Sequence, residues 1–271
     1  MDHDLNKNLP LKEIIKNAYG QIITNYKQHL ILSYLAMMPF LLIGILYPIN
    51  LDPKDITILR AVTYLVPLSL IYIFTSIFYY RLFSLGAEGF LKINLNDLAM
   101  AFGKTTLFSF MLVLVQIIAS ITIIALFGLM FSIIFSVANL DPENNLILSY
   151  LLPLIIIAFL LLISLRVQPT FVSISIKDTL ITMRSAYYYT RDNNKNLLII
   201  GLFCILPTYC ASQLLFYIIY NIVTINPSLQ SILTYLFAPI TMLSFALLIA
   251  AGTEIYKYLV PINLSVNGKT D

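Results

Sequence analysis

Apolar residues in this chain come in long, nearly unbroken runs rather than alternating with polar ones. A helix needs about 20 mostly apolar residues to cross a hydrocarbon core roughly 30 Å thick. Six runs reach that length: 30–49, 61–80, a stretch within 105–137, 146–165, 197–223 and 231–253. The third carries no charge and as one straight helix would be about 50 Å long, so it tilts or begins as an interfacial segment. The links 50–60, 139–145 and 224–230 are short and hold the turn formers Asp52-Pro53, Asp141-Pro142 and Asn226-Pro227. The links 81–104 and 166–196 are longer and basic.

Before each odd-numbered run the pattern changes to helical amphipathicity. In the first segment Leu11, Ile14, Ile15, Ala18, Ile22, Ile23 and Tyr26 share one face, with Lys12, Glu13, Lys16, Asn17, Gln21 and Asn25 opposite. Such a helix is expected to lie on the bilayer surface, with Ile14, Ile15, Ile22 and Ile23 in the headgroup boundary. Leu95, Leu98, Ala99 and Phe102 repeat the pattern, as do Ile176, Leu180, Met183 and Tyr187. Asn94-x-x-Asp97 and Ser175-x-x-Asp178 resemble capping boxes, and Pro10 with Glu13 forms a looser one. Arg81 and Arg166 close the second and fourth runs. The expected fold is therefore all-α and polytopic, a single membrane domain of six transmembrane helices in three tandem two-helix repeats. The repeats cover about 10–80, 94–165 and 175–256, each led by an interfacial helix, with 257–271 as a tail.

Charge sets the orientation. Of the 16 Lys and Arg, 14 fall at the termini and in the two long links, against only Lys54 and Arg60 in the short ones. The richer side is expected to be cytoplasmic, with both termini there. Acidic Asp2 and Asp4, and a first apolar run beginning only near Leu30, do not fit a cleaved leader. A bacterial inner membrane is the simplest location. Composition narrows the classes further. The chain is 59% hydrophobic and 11% charged, with a mean hydropathy of +0.88. Soluble domains carry about 25% charged residues, so a soluble enzyme is excluded. Unbroken runs exclude a β-barrel, and a net charge of +3 suggests no nucleic-acid partner. Cys204 and Cys210 both lie in an apolar run and read as small buried hydrophobes rather than a disulfide or metal pair.

The stretch Ser164-Leu165-Arg166-Val167-Gln168-Pro169, then Asp178, Arg184-Ser185-Ala186 and Thr190-Arg191, enters an apolar run at Asn196. With the closing Thr253-Glu254-Ile255-Tyr256-Lys257-Tyr258, it resembles the six-span membrane domain attached to some bacterial glycerophosphoryl diester phosphodiesterases. The small YciC-like inner-membrane proteins are similar. The resemblance implies a six-helix inner-membrane domain without catalytic residues of its own.

Chemistry is sparse. No HExxH, GxSxG, Walker A or GxGxxG motif occurs. His3 and His29 stand apart, and His29 is expected at the interface. No run has an ionisable residue near its centre, which disfavours proton-coupled transport. No enzymatic activity and no cofactor are expected. The amides Gln116, Gln213 and Asn221 are candidates for helix packing or a cavity. Pro39, Pro67, Pro153, Pro207 and Pro239 mark kinks. Tyr79, Tyr80, Tyr256 and Tyr258 at the inner boundary, with Tyr47, Tyr64, Tyr150, Tyr220 and Tyr235 at the outer, suggest interfacial belts.

The richest polar feature is Lys177, Arg184, Arg191 and Lys195, beside Tyr187, Tyr188 and Tyr189. On one continuous helix the first three cations share a face. They either hold anionic lipid headgroups or serve only as topology signals. Three functional readings follow: a lipid-interacting protein supporting the envelope, a small-solute transporter through a kinked bundle, or a scaffold for a protein partner.

Overall fold

The structure is a computed structural model that describes residues 9–46, 58–138, 146–178, 180–223 and 230–267. These residues form helices and connecting turns, with no strand among them. In chain order the helices are α1 (Leu11–Thr24), α2 (Tyr26–Leu46), α3 (Ile58–Gly89), α4 (Leu95–Ala138), α5 (Leu146–Ile176) and α6 (Met183–Thr190). A 3₁₀ turn, Arg191–Asn193, leads into α7 (Asn194–Val223), followed by α8 (Gln230–Leu236), α9 (Ala238–Thr241) and α10 (Leu243–Asn267). Five stretches among the described residues are long and apolar enough to cross a membrane: Ser69–Gly89, Leu95–Phe127, Leu154–Ile176, Met183–Ile219 and Leu243–Val260. The first expected span belongs to α2 and continues outside the described residues, as do most of the three short links.

α5 occupies the centre, packed against α3, α4, α7 and α10. Its approach to α10 is close enough to require Gly252, where a Cβ would fall inside the Gln168 side chain. The buried apolar core gathers toward the basic end of the bundle, from Ile14, Ala18 and Ile22 through Leu82, Phe83, Leu165 and Val172 to Ala250 and Ile255. α4 behaves differently: from Thr106 to Leu129 no described residue is buried. A helix this apolar, with one partly covered face toward α3 and α5 and the rest exposed, needs hydrocarbon as its solvent.

The amphipathic segments depart from expectation. α1 does bury Ile14, Ala18 and Ile22, but against protein, chiefly α10 and the start of α7. Ile23 is 72% exposed and Ile15 is only partly covered. The second segment is not a separate helix, because α4 runs unbroken from Leu95 through the third span; Asn94 caps it, its Oδ1 accepting from Asp97 N at 2.8 Å. The third segment does not begin at Ser175. That hydroxyl donates back to Phe171 O inside α5 at 2.8 Å, and Asp178 accepts from Ser173 Oγ and from Leu180 N. These polar groups end α5 rather than start its successor. Lys177, with φ +66°, turns the chain, and α6 begins later under a reciprocal Thr182–Ser185 cap. Ile176 and Leu180 thus lie outside the helix expected to contain them.

Carbonyls freed at Pro207 and around Pro239 are met by donors from α1 and α2. Pro207 cannot donate to Phe203 O four residues back, and Tyr19 Oη donates to that carbonyl instead at 2.6 Å. The expected sixth span is interrupted on both sides of α9, with Pro239 in its first turn. Tyr34 Oη then donates to Leu236 O at 3.2 Å and His29 Nε2 to Pro239 O at 3.1 Å.

Candidate functional site

Arg81 and Arg166 stand at the basic ends of two spans and are both buried. Sequence reading took them as repeated span ends and topology charges, yet each also organises the segment that leads to the next span. α3 bends at Gly86, whose φ of +75° and ψ of 178° carry the chain back past its own end. The following carbonyls converge on Arg81. Its Nε donates to Phe90 O at 3.0 Å, Nη1 to Ser175 O at 3.0 Å, and Nη2 to Gly89 O and Lys92 O at 3.3 and 2.9 Å. Arg166 does the corresponding work before α7. Its Nη2 donates to Arg191 O at 3.0 Å and to Asn194 Oδ1, and its guanidinium lies 4.6 Å from the centre of the Tyr187 ring. A planar guanidinium spreads several donors over a turn, which a lysine ammonium cannot match. The signal was legible: both arginines follow directly on apolar runs, 85 residues apart.

A third foot closes the ring. Glu254 of α10, almost fully buried, accepts from Asn17 Nδ2 at 3.1 Å and Gln21 Nε2 at 3.4 Å, and pairs with Lys257 at 2.8 Å. The face of α1 expected to be wet is therefore partly docked. The segment just before α1 is pinned as well: Leu9 N donates to Asn193 Oδ1 at 2.9 Å, and Asn196 Nδ2 to Leu9 O at 3.2 Å. Burial, followed by the nearby Cys204, pushes the Tyr19 phenol above its ordinary range. His29 is not interfacial: it is buried, with Tyr79 Oη 2.8 Å from Nδ1. Because Nε2 faces a carbonyl, Nε2 carries the proton and Nδ1 accepts from Tyr79. Tyr79, Tyr80 and Tyr256 are likewise core residues, not belt residues.

The four expected headgroup cations do not share a continuous helix. Lys177 lies in the turn after α5 and pairs with Asp97. Arg184 is in the first turn of α6, Arg191 begins the 3₁₀ turn, and Lys195 starts α7. α6 nevertheless has two clear faces. Ala186 and Thr190 are buried, while Arg184, Tyr187, Tyr188 and Arg191 are exposed at the spacing of one helical face. Arg191 stacks over Tyr188 at 5.0 Å and meets Asp192 at 3.4 Å. Arg184 and Lys195 point outward with no acidic partner among the described residues.

The three amides separate. Gln116 Nε2 donates to Ser164 Oγ at 3.1 Å and joins α4 to α5. Asn221 donates within its own helix to Tyr217 O at 2.8 Å. Gln213 lies on the outer face of α7, exposed. The cysteines divide in the same way, Cys204 buried and Cys210 exposed, both free; the exposure of Cys210 corrects the expectation that both are buried. Among the described residues no group of three His, Cys, Asp or Glu side chains is placed to hold a metal. Compared with family models, with curated proteins and with solved structures, the chain matches none.

Proposed function

We propose that this chain is a non-enzymatic, multi-pass protein of a bacterial inner membrane that holds anionic lipid headgroups against its basic end. In this reading α2 completes a set of six spans, the basic end is cytoplasmic, and both termini lie there. The observation that carries the proposal is the outward face of α6 and the turn after it, where Arg184, Tyr187, Tyr188 and Arg191 are all exposed at the basic end of the long apolar stretch Met183–Ile219. Aromatic rings favour headgroup depth, and each basic residue near an anionic surface contributes about 1 kcal/mol before screening. Asp192 reduces the share of Arg191, so Arg184 and Lys195 carry most of the attraction. Three feet that each bind the segment entering the next span, Arg81, Arg166 and Glu254, support a three-repeat organisation closing on itself through α1. The likeness of 164–201 to the phosphodiesterase-linked membrane domain is part of the same proposal.

The test is lipid retention. The R184Q/K195Q variant, purified in mild detergent, should keep less phosphatidylglycerol or cardiolipin per protein than wild type, at unchanged thermal stability. A phosphatase fused after Asp271 should stay inactive in cells. Equal lipid content, or an active fusion, overturns the proposal.

A further inference from the structure

α7 presents two unlike faces. Leu197, Ile200, Cys204, Thr208, Leu215 and Ile219 are buried in the bundle. The opposite face carries Tyr209, Gln213, Tyr217 and Asn221, each four residues from the next and all exposed. Spacing of four keeps them in one row, about 6 Å apart along the axis. This row is a polar stripe on the outside of a stretch otherwise apolar enough to span a membrane.

Depth decides which of these groups lacks water. Gln213 lies 16 residues beyond Leu197, about 24 Å along the helix and short of a hydrocarbon thickness of about 30 Å. Tyr217 and Asn221 reach the far headgroup level, where water serves them. Gln213 and Tyr209 do not reach it, and neither side chain has a hydrogen-bond partner within the described residues. A carboxamide presented to hydrocarbon leaves two donors and an acceptor unpaired, and a neighbouring transmembrane helix is the usual remedy.

We infer that this stripe is the interface at which two copies of the chain associate, α7 against α7. Complementarity selects the second copy over another partner. Copies inserted the same way in a membrane are related by a two-fold axis along the bilayer normal. In an isologous contact about that axis, each residue meets its own counterpart at equal depth. Gln213 therefore faces Gln213, and a carboxamide is its own complement: each NH2 donates to the other carbonyl, giving two reciprocal bonds. A charged side chain would repel its counterpart, and an aliphatic one would gain nothing over lipid. Cys210 lies on the same face, one turn from Gln213, whereas Cys204 points into the core, so the native thiols already distinguish the two faces.

Mild oxidation of the full chain in native membranes tests the interface. A disulfide-linked species of twice the mass is expected. It should vanish in Cys210→Ser and persist in Cys204→Ser. Losing both reciprocal bonds in Gln213→Leu should weaken association about tenfold, lowering the cross-linked fraction at fixed protein-to-lipid ratio while the monomer keeps its thermal stability. As a control, Ile118→Cys on the exposed side of α4, in a Cys210→Ser background, should not cross-link. The inference fails if no Cys210 dimer forms, if Gln213→Leu dimerises as well as wild type, or if the α4 control cross-links instead. A Cys210 adduct with a different protein overturns it too, and so does loss of monomer stability in Gln213→Leu, which would place the amide's partner inside the chain.

Discussion

Replacing Arg81 by methionine keeps most of the stem volume and removes every donor. Four carbonyls then lose a donor, although Gly89 O keeps its bond from Lys92 N. The bonds to Phe90 O and Ser175 O are buried, while those to Gly89 O and Lys92 O are partly accessible. A buried acceptor left unpaired costs about 1–3 kcal/mol, and an accessible one that re-pairs with water costs much less. Two of the first kind and two of the second give about 3–5 kcal/mol. For a chain of this size that corresponds to a fall of about 10 °C in apparent Tm. Arg81→Lys should recover about half, since one ammonium serves only part of a turn whose carbonyls approach from several directions. Fluorescence-detected size exclusion of a heated, detergent-solubilised fusion measures both variants against wild type. A melting point for Arg81→Met within about 2 °C of wild type would refute the claim that this guanidinium holds the turn into α4. Full rescue by lysine would refute the claim that its planar fork matters.

Gly86→Ala should destabilise by about 1–3 kcal/mol, because φ +75° with ψ 178° is a region essentially reserved for glycine. No atom stands within 4 Å of the added Cβ, so the effect is purely conformational. Gly20→Ala, in helical backbone with equally open space, should instead be neutral or stabilising in the same melt. Glu254→Ala should strip Asn17 and Gln21 of their acceptor and cost about 1–2 kcal/mol. Its signature is faster amide exchange confined to 11–24, and an unchanged exchange pattern there would show that apolar packing alone holds α1.

The class of the protein was decided by composition and run length. Residues packed into unbroken apolar runs with 11% charge leave no soluble fold available, and local rules then suffice: hydrocarbon demands helices that satisfy their own backbone. The helical character of α4, α5 and α7, the cap at Asn94 and the break around Pro239 all follow from residues near each other in sequence. Which face of a helix meets protein and which meets lipid does not, because both environments are apolar and the hydropathy pattern reads the same for each. That is why the isoleucines of α1, read as a bilayer-facing stripe, turned out to include two, Ile14 and Ile22, of the helix face that docks on α10 and α7. It is also why Gln116 joins two helices while Gln213 points outward from a third. The capping-like spacing at Ser175 misled for a related reason: a hydroxyl and a carboxylate serve equally to start a helix or to end one, and only the surrounding chain selects. The roles of Arg81, Arg166 and Glu254 depend on carbonyls and amides brought from up to 237 residues away. The distant pairings, Arg81 with Ser175 O and Glu254 with α1, exist only once the helices have packed, so the sequence marked where the arginines stand and tertiary structure assigned what they hold.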